Sequence, residues 1–297
     1  IRRRSRRSED VLANERRTKR PRTRAGAFLW EVKAMTDLSP LLHIRDAHVR
    51  RAGREILAVD EFSLAEGESV ALLGPNGSGK STFIGLITRE VHPLHRDEAP
   101  VLFRGDARVT LADIKRALGV VSSTMQDQIR VHVPAQDIVA GGLFGSLGIP
   151  QRCTVTDGQR ARARAIMNEL GIGDLAERDI LTLSTGQARR VLIARALVHD
   201  PDVLIFDEPC TGLDPEGMYY VRQTMSALAR AGRPVLLVTH YPEDIAPEIQ
   251  RLLLVRDGRI VADGPKEALL TSETMSGLFG VPLEVVRTRD RYSLVDC

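Results

Sequence analysis

The stretch Gly74-Pro75-Asn76-Gly77-Ser78-Gly79-Lys80-Ser81-Thr82 decides the fold of this chain. It fits the pattern G-x-x-x-x-G-K-[ST], in which glycines let backbone N–H groups approach a phosphate closely. The apolar run Val70-Ala71-Leu72-Leu73 precedes it and predicts a buried strand, and the apolar residues 83–87 after it predict a packed helix. A strand, a glycine-rich turn and a helix N-terminus form a phosphate site, because the helix end adds partial positive charge.

Individual side chains in this stretch suit the chemistry of a nucleotide phosphate. Lys80 can reach the β- and γ-phosphates, and the Ser81 hydroxyl can bind Mg²⁺. The alternative is a glycine-rich turn that binds nothing, but the flanking strand and helix favour the phosphate interpretation. We therefore predict that every residue of the stretch contacts the nucleotide: Gly74, Pro75, Asn76, Gly77, Ser78, Gly79, Lys80, Ser81 and Thr82.

A second motif ends in two carboxylates. Val203-Leu204-Ile205-Phe206-Asp207-Glu208 is an apolar run, which predicts a buried strand, followed by an acidic pair. Ligands of α/β nucleotide folds sit at the carboxyl ends of parallel strands. Asp207 is placed there to hold Mg²⁺ through water, and Glu208 to orient and deprotonate the water that attacks the γ-phosphate. An acidic pair of this kind, taken alone, more often marks the start of a solvated loop. Its occurrence together with the phosphate stretch favours the catalytic interpretation.

Three further segments complete a resemblance to a known family. Leu183-Ser184-Thr185-Gly186-Gln187 is similar to the family signature LSGGQ, with Thr in the third place. Thr211-Gly212-Leu213-Asp214 is similar to the D-loop, and Val235-Leu236-Leu237-Val238-Thr239-His240 ends in a His, as at the family's switch histidine. With the two phosphate motifs, in the family's order, the chain resembles the nucleotide-binding subunit of an ATP-binding cassette (ABC) transporter from about His43 to its C-terminus.

The resemblance implies an α/β fold: a P-loop NTPase core with a parallel sheet, an antiparallel β lobe and a helical subdomain insert. It implies an ATPase that binds ATP with Mg²⁺ held by Ser81 and Asp207, and that uses Glu208 and His240 in catalysis. Two subunits would sandwich two ATP molecules head to tail, so that each signature segment contacts the γ-phosphate held by the facing copy. The ATP contacts implied there are Ser184, Thr185, Gly186 and Gln187.

Two of these segments have simpler interpretations outside the family context. The signature segment would be an ordinary Ser/Thr helix cap, and His240 would be a hydrogen-bonded residue at a strand end. Within the family's order of motifs, a helix over residues 187–197 offers a second anion site at its N-terminus. In the same context the imidazole of His240 is expected to contact the γ-phosphate.

The chain departs from the family pattern at two places. The family usually has a Gln at the end of a strand after the first core half, where this chain has Ser123. Gln126 and Gln128 follow shortly, and we expect Gln126 to be the residue that contacts ATP. An aromatic residue often stacks on adenine upstream of the phosphate loop, where this chain has Arg51. Its guanidinium either stacks on the base instead or lies in a solvated turn.

The composition limits the class of protein. Of the 297 residues 43% are apolar, which is ample for a core. No run of about 18 apolar residues occurs, so the sequence predicts no membrane span. The three cysteines have neither metal-ligand spacing nor an even count, which favours reduced thiols. Residues 1–34 hold 12 Lys/Arg and four Asp/Glu, so the net charge of +3 comes from this basic tail.

The basic tail of residues 1–34 is predicted to be disordered, because it cannot bury enough apolar surface to fold. It fits a nucleic-acid or anionic-lipid arm, or an Arg-rich transit peptide, although Glu9, Asp10 and Glu15 fit the latter poorly. We favour translated upstream sequence without a role, with the true start at Met35. A nucleic-acid partner is accordingly not expected.

The predicted ATPase domain covers residues 41–265, with its helical subdomain at about 124–188, and a C-terminal extension covers residues 266–297. A helix is expected over residues 156–170, with Ala161 and Ala165 among its inward-facing positions. The resemblance implies that the helical subdomain docks an integral membrane permease subunit. The apolar residues 141–150 either join that contact or pack as a satellite core under a loop.

These observations favour an ATP-hydrolysing motor subunit that forms a homodimer or pairs with another cassette subunit. It would lie in the cytoplasm, peripherally on the inner face of the cell membrane. The alternative is a soluble ABC-type ATPase that acts on nucleic acid or the ribosome. Such proteins usually carry two cassettes or a long coiled-coil insert, whereas this chain has one phosphate stretch and no heptad run. A non-catalytic ATP-binding scaffold is disfavoured by Glu208 and His240.

Overall fold

The antiparallel part of the main sheet comes first along the chain. The structure, a computed structural model, describes residues 40–297, so the predicted tail of residues 1–34 and the expected start at Met35 lie outside the described residues. Strand β1 pairs antiparallel with both of its neighbours, β2 and β4. The bounds of the three strands are β1 (Leu42–Arg51), β2 (Arg54–Leu64) and β4 (Val101–Phe103).

The parallel part of the same sheet carries the predicted motifs. Its strands are β3 (Val70–Leu73), β5 (Leu118–Ser122), β6 (Val203–Asp207), β7 (Val235–Thr239) and β8 (Arg251–Arg256). Strand β9 (Arg259–Pro265) pairs antiparallel with β8 and parallel with β2, which joins the two parts. The full order is β4-β1-β2-β9-β8-β3-β7-β6-β5. The expected fold class, a parallel-rich sheet with an antiparallel lobe and helices, is confirmed.

Helices connect the strands and cover the sheet. They are α1 (Lys80–Ile87), α2 (Leu111–Ala117), α3 (Met125–Gln128), α4 (Ala135–Gly141), α5 (Asp157–Glu169), α6 (Thr185–Leu197), α7 (Pro215–Arg230), α8 (Lys266–Leu269) and α9 (Ser272–Phe279). Short 3₁₀ turns occur at Gly142–Phe144, Gly173–Leu175, Ile180–Thr182 and Pro242–Asp244. No helix within residues 40–297 has the length and apolar character that crossing a membrane requires.

Two hydrophobic clusters lie on the two faces of the parallel strands. In β3, Val70 and Leu72 belong to one cluster, while Ala71 and Leu73 belong to the other. A strand buried on both faces has no polar side to present. This explains why the parallel strands are continuous apolar runs in the sequence and do not alternate apolar with polar residues.

The segment between β5 and β6 is helical and contains one wrong expectation. In α5, Ala161 and Ala165 are exposed, and Ala163 and Met167 are the buried residues. The other expected inward residues, Ile166 and Leu170, do pack against the main cluster. The expectation is therefore wrong for the two alanines, whose small side chains distinguish poorly between the buried and exposed faces of a helix. The apolar residues at 143, 144, 147 and 149 are half-buried against the main cluster, as a satellite core would be.

The chain ends in a helix and a separate two-stranded hairpin. Helix α9 is followed by β10 (Leu283–Thr288) and β11 (Arg291–Asp296), which pair antiparallel. Tyr292 is buried, and β11 lies against the turn Pro242–Asp244. The domain limits at residues 41–265 and 266–297 remain predictions.

Candidate active site

The register of the parallel strands brings the predicted motifs to one edge of the sheet. Leu73, the last residue of β3, pairs with Thr239 at the end of β7, and Asp207 pairs with Val238. Asp207 is also level with Ser122 at the end of β5. The residues that follow these strands therefore meet at the carboxyl ends of neighbouring strands, the position of ligands in this fold class.

The phosphate stretch forms a closed loop between β3 and α1. Gly79 is the N-cap of α1 at φ 104°, and no side chain caps the helix, so its first N–H groups keep no side-chain partner. Gly77 is also left-handed, at φ 77°. A Cβ on Gly74 would lie 2.1 Å from the carbonyl oxygen of Val255, so only glycine fits there. The loop thus presents backbone donors at a helix N-terminus.

Lys80 lies across this loop. Its Nζ donates to the carbonyl oxygens of Gly74 and Pro75, each at 2.9 Å, and lies 3.9 Å from Glu208 Oε1. Burial lowers the pKa of Lys80, and the carboxylates of Glu208 and Asp207 oppose that shift. A buried ammonium that is held by two carbonyls beside two carboxylates can exchange these contacts for phosphate oxygens.

Asp207 has the properties of a metal ligand. Its Oδ1 is buried and has no hydrogen-bond partner. Burial and, to a smaller extent, the neighbouring Glu208 raise the pKa of Asp207 to about 6, while Lys80 opposes the shift. Ser81 lines the same cleft. One carboxylate and one hydroxyl fit a cation such as Mg²⁺, which takes its other ligands from water and phosphate.

Glu208 and His240 contact each other at this edge. Glu208 has a left-handed backbone, at φ 50°, and its N–H donates to Val238 O at 2.8 Å. Its Oε1 lies 3.3 Å from His240 Nδ1. The His240 ring packs on Tyr241, with 3.9 Å between ring centroids. A strained conformation at a carboxylate beside an imidazole is typical of functional sites.

Lys80, Asp207 and Glu208 line a cleft of about 490 Å³, a size that suits a small-molecule ligand. His240 does not line this cleft and reaches it only through Glu208. Arg51 is exposed at its margin, and Ser123 and Thr124 line its wall. Gln126 does not line the cleft: it lies in α3, and its Oε1 is buried without a partner. Gln128 is exposed. The structure therefore brings Ser123 and not Gln126 to the site, and the ATP contact by Gln126 remains a prediction.

The signature segment lies at a second cleft, of about 450 Å³, at the N-terminus of α6. Ser184 caps this helix: its Oγ accepts from Gln187 N–H at 3.2 Å, and Gln187 Oε1 accepts from Ser184 N–H at 3.1 Å. A Cβ on Gly186 would lie 2.8 Å from Gly217 Cα. Glycine is thus needed here for contact between α6 and α7, a reason that the sequence pattern does not reveal. Thr185 is exposed as the first residue of α6.

The two clefts share no lining residue. What joins them is Arg189 of α6, which is buried and which the sequence interpretation missed. Its guanidinium donates to Pro209 O at 2.9 Å and to Ser123 O at 3.4 Å. Arg189 thus connects the signature helix to the turn after Glu208 and to the wall of the first cleft. The only sequence signal was an arginine within an otherwise apolar helix face.

Comparisons with known proteins agree with this geometry. A family model described as ABC transporter matches residues 57–211. An uncharacterized ABC transporter ATP-binding protein of Bacillus subtilis, YlmA, is 31% identical over 84% of this chain and 95% of its own length. The cobalt import ATP-binding protein CbiO of Rhodobacter capsulatus is 36% identical over 73% of this chain and 76% of its own length.

The fold is similar to solved structures as well. The structure of cbiO1 from Clostridium perfringens, described as part of the ABC transporter complex cbiONQ, superposes with a TM-score of 0.66. It is 25% identical, and the match covers 80% of this chain and 92% of that chain. The comparisons of sequence and of fold therefore agree on the family.

Proposed function

This chain belongs to the ABC transporter family and is an ATPase, and we propose that it is the motor subunit of a transporter, which drives a separate membrane subunit. The observation that carries the proposal is the meeting of Lys80, Asp207, Glu208 and His240 at one edge of the sheet. Each has the chemistry that one part of nucleotide hydrolysis needs: a cation, a metal ligand, a base and an imidazole.

Nucleotide phosphates would be held by the loop of residues 74–82. Its backbone N–H groups and Lys80 neutralise the β- and γ-phosphates, and the first turn of α1 adds its dipole. Mg²⁺ would be held by Ser81 and Asp207, where it supplies charge neutralisation between the phosphates. Binding a cation there also relieves the cost of the buried, unpartnered Asp207 carboxylate.

Glu208 is proposed as the general base. Its carboxylate faces the cleft beside the site of the γ-phosphate, where it can orient a water and accept its proton. His240 lies 3.3 Å from that carboxylate, so it can fix the carboxylate's orientation and contact the γ-phosphate. The left-handed backbone of Glu208 turns the chain away at once after the strand, which keeps the side chain at the sheet edge.

Dimerisation is proposed because the signature cleft is separate from the phosphate cleft of the same copy. Ser184, Thr185, Gly186 and Gln187 would contact the γ-phosphate held by a facing copy, either of this chain or of a paired cassette subunit. Two ATP molecules would then be sandwiched head to tail. The partner beyond the dimer would be an integral membrane permease subunit, which would place this chain in the cytoplasm, on the inner face of the cell membrane.

The test of the proposal is Glu208→Gln. We expect turnover to fall ~10²-fold or more, the usual effect of losing a general base, while ATP binding persists and a dimer accumulates on gel filtration with ATP. Glu248→Gln is the matched control, because Glu248 is a similarly half-buried glutamate outside both clefts. A Glu208→Gln variant that hydrolyses normally would reject the assignment.

The transporter role is tested separately by reconstitution. We expect turnover to rise when the chain is combined with its membrane subunit in proteoliposomes, and to remain unchanged on addition of RNA or ribosomes. Stimulation by RNA or ribosomes alone would favour the alternative, a soluble ABC-type ATPase that acts on nucleic acid or the ribosome.

A further inference from the structure

A buried ion pair lies directly behind His240. Arg222 of α7 donates to Asp244 Oδ1 from Nε at 2.8 Å and from an Nη at 2.6 Å. Asp244 belongs to the turn Pro242–Asp244 and is only 2% exposed. Neither residue lines the phosphate cleft, so the pair cannot act there by direct contact.

The second oxygen of Asp244 holds the backbone on both sides of His240. Asp244 Oδ2 accepts a hydrogen bond from the Thr239 hydroxyl at 3.0 Å. The oxygen of that hydroxyl accepts from Tyr241 N–H, also at 3.0 Å. The residues before and after His240 are therefore both tied to one buried carboxylate, which fixes where the imidazole points.

The outer side of the same turn is held by the C-terminal hairpin. Leu294 N–H in β11 donates to Glu243 Oε1 at 3.0 Å, and the Arg291 guanidinium donates to Glu243 O at 3.4 Å. Residues 239–244 are thus anchored from the inside by Asp244 and from the outside by β11. A segment held on both sides has little freedom to move unless one anchor is released.

Arg222 also connects this segment to the rest of the site. Its helix, α7, begins at the Asp214 cap and packs on the signature helix where Gly217 meets Gly186. The Cys210 side chain, two residues after Glu208, has a thiol pKa raised by burial, and it lies close enough to the ion pair for Asp244 to raise and Arg222 to lower that pKa. The pair therefore lies where the segment after Glu208, the helix behind the signature cleft and the His240 segment meet.

We propose that Asp244, held by Arg222 and acting through Thr239, is a positioning residue that keeps His240 within reach of Glu208 and the γ-phosphate. The inference rests on the proposed function, because it assumes that His240 takes part in hydrolysis. The 3.3 Å separation of His240 Nδ1 and Glu208 Oε1 leaves little margin. A displacement of about 1 Å would remove the contact, since side-chain atoms separated by ~3.6 Å or more no longer form a hydrogen bond.

The main test compares two substitutions at Thr239. Thr239→Val keeps the shape but removes the hydroxyl that joins Asp244 to Tyr241, whereas Thr239→Ser keeps the hydroxyl. We expect Thr239→Val to lower kcat ~10-fold with KM within ~2-fold, the size expected for a lost hydrogen bond to a charged group. Thr239→Ser should restore most of kcat. Asp244→Asn is the second variant and should act in the same direction.

A spectroscopic measurement follows His240 itself. With histidine labelled at ¹³Cε1, the His240 signal is identified by its loss in His240→Ala, and we expect it to shift in Thr239→Val and to stay in Thr239→Ser. The matched control is Arg251→Gln, which breaks a bidentate ion pair with Asp263 between strands β8 and β9. It should lower the melting temperature but leave kcat and the His240 signal unchanged.

The outcomes separate this inference from the function on which it rests. Normal turnover in His240→Ala would reject the role of His240 and with it the positioning role. A different result would overturn the positioning role alone. In that case His240→Ala lowers turnover, but Thr239→Val changes neither kcat nor the His240 signal. A loss in Thr239→Val that Thr239→Ser does not recover would also overturn it, because the hydroxyl would then be irrelevant.

Discussion

Two helices of this chain begin at glycine-containing motifs, yet their N-termini differ. Helix α1 begins after Gly79, which has no side chain to cap it. Helix α6 begins after Ser184, whose side chain and backbone both hydrogen-bond to Gln187. The first turn of α1 therefore keeps its donors for a ligand, whereas the first turn of α6 already has internal partners.

The charges around the two helix ends differ in the same sense. At α1, Lys80 lies 3.9 Å from Glu208 Oε1, and the buried Oδ1 of Asp207 has no partner, so the cleft holds both a cation for phosphate and a ligand for metal. At α6, Arg190 turns its guanidinium to Leu170 O at 2.7 Å and to the Tyr220 ring at 5.0 Å. A helix N-terminus alone is a weak anion site. The difference favours the proposal that the phosphate cleft binds nucleotide by itself and that the signature cleft completes the site of a facing copy.

The largest effect should come from removing the cation of the phosphate cleft. We expect Lys80→Ala to abolish measurable ATP binding or to reduce turnover by ~10²-fold or more, because the γ-phosphate loses its main cationic contact. Lys266→Ala is the matched control: Lys266 is as buried, and its Nζ also donates to two backbone carbonyls. It should lower the melting temperature without changing ATP affinity. Equal ATP affinities and equal turnover in Lys80→Ala and the parent chain would show that the cleft at α1 is not the phosphate site.

A mixed dimer tests whether the signature cleft completes the site of the other copy. Ser184→Asp is suited to this test, because Asp caps a helix as well as Ser but places a negative charge towards the γ-phosphate. Gly186→Asp is not suited, since its Cβ would meet Gly217. A Lys80→Ala homodimer and a Ser184→Asp homodimer each have two damaged sites, whereas the mixed dimer keeps one intact site.

We expect the mixed dimer to recover up to about half of the parental turnover, several-fold above both homodimers, because only one of its two sites is damaged. The measurement is steady-state hydrolysis with differently tagged chains purified as heterodimers. Activity no higher than that of the two homodimers would mean that the signature cleft serves its own copy or that one site cannot act alone. Measuring single turnovers at the intact site distinguishes those two cases.

The sequence predicted the parts of the site that depend on local pattern. Residues 74–82 and the ends of the strands at Asp207 and His240 follow from apolar runs, glycine spacing and the order of motifs. Their convergence follows from one general rule, that parallel strands of this fold class present ligand sites at their carboxyl ends. Neither inference needs a contact between distant residues.

The parts that were missed depend on contacts between residues far apart in the chain. Arg189 reaches Ser123 across 66 positions, and Arg222 reaches Asp244 across 22. No local pattern marks such pairs, because their partners are chosen by packing. Gln126 differs from these cases: Ser123, three positions earlier, lines the cleft and Gln126 does not, and the ATP contact by Gln126 stays a prediction.

A smaller effect should come from the unfavourable charge stored in the phosphate cleft. The pKa of Asp207 is raised to about 6 from 3.8. Below pH ~4 the carboxyl is protonated in both the folded and the unfolded chain, and the folded state keeps its full stability. As the pH rises through ~6 the buried carboxyl ionises, and that stability is lost. We expect Asp207→Asn to stabilise the nucleotide-free chain by about 1–3 kcal/mol at pH 7.5 and by much less at pH 4.5. Urea unfolding at the two pH values measures both.

The control for that prediction lies in the signature cleft. Asp214 caps α7 through Gly217 N–H at 2.7 Å, and Asn caps as well as Asp. Asp214→Asn should therefore change stability by less than ~0.5 kcal/mol at either pH. Equal effects of the two substitutions would show that the phosphate cleft stores no more unfavourable charge than the signature cleft.

The smallest effect separates capping from ligand binding at α6. Two helices of 13 residues begin with the same reciprocal cap, Ser184 with Gln187 in α6 and Thr156 with Gln159 in α5. Ser184→Ala and Thr156→Ala should each cost ~1 kcal/mol of stability without nucleotide, because each removes one cap.

The Ser184 hydroxyl accepts from Gln187 and still has its own hydrogen to donate, so only Ser184→Ala should weaken ATP-driven dimerisation. We expect a shift of several-fold in the ATP concentration that gives half-maximal dimer on gel filtration in the Glu208→Gln background, as for one hydrogen bond to a charged group. Equal shifts in both variants would mean that Ser184 acts only as a cap and that the two helix N-termini differ in charge alone.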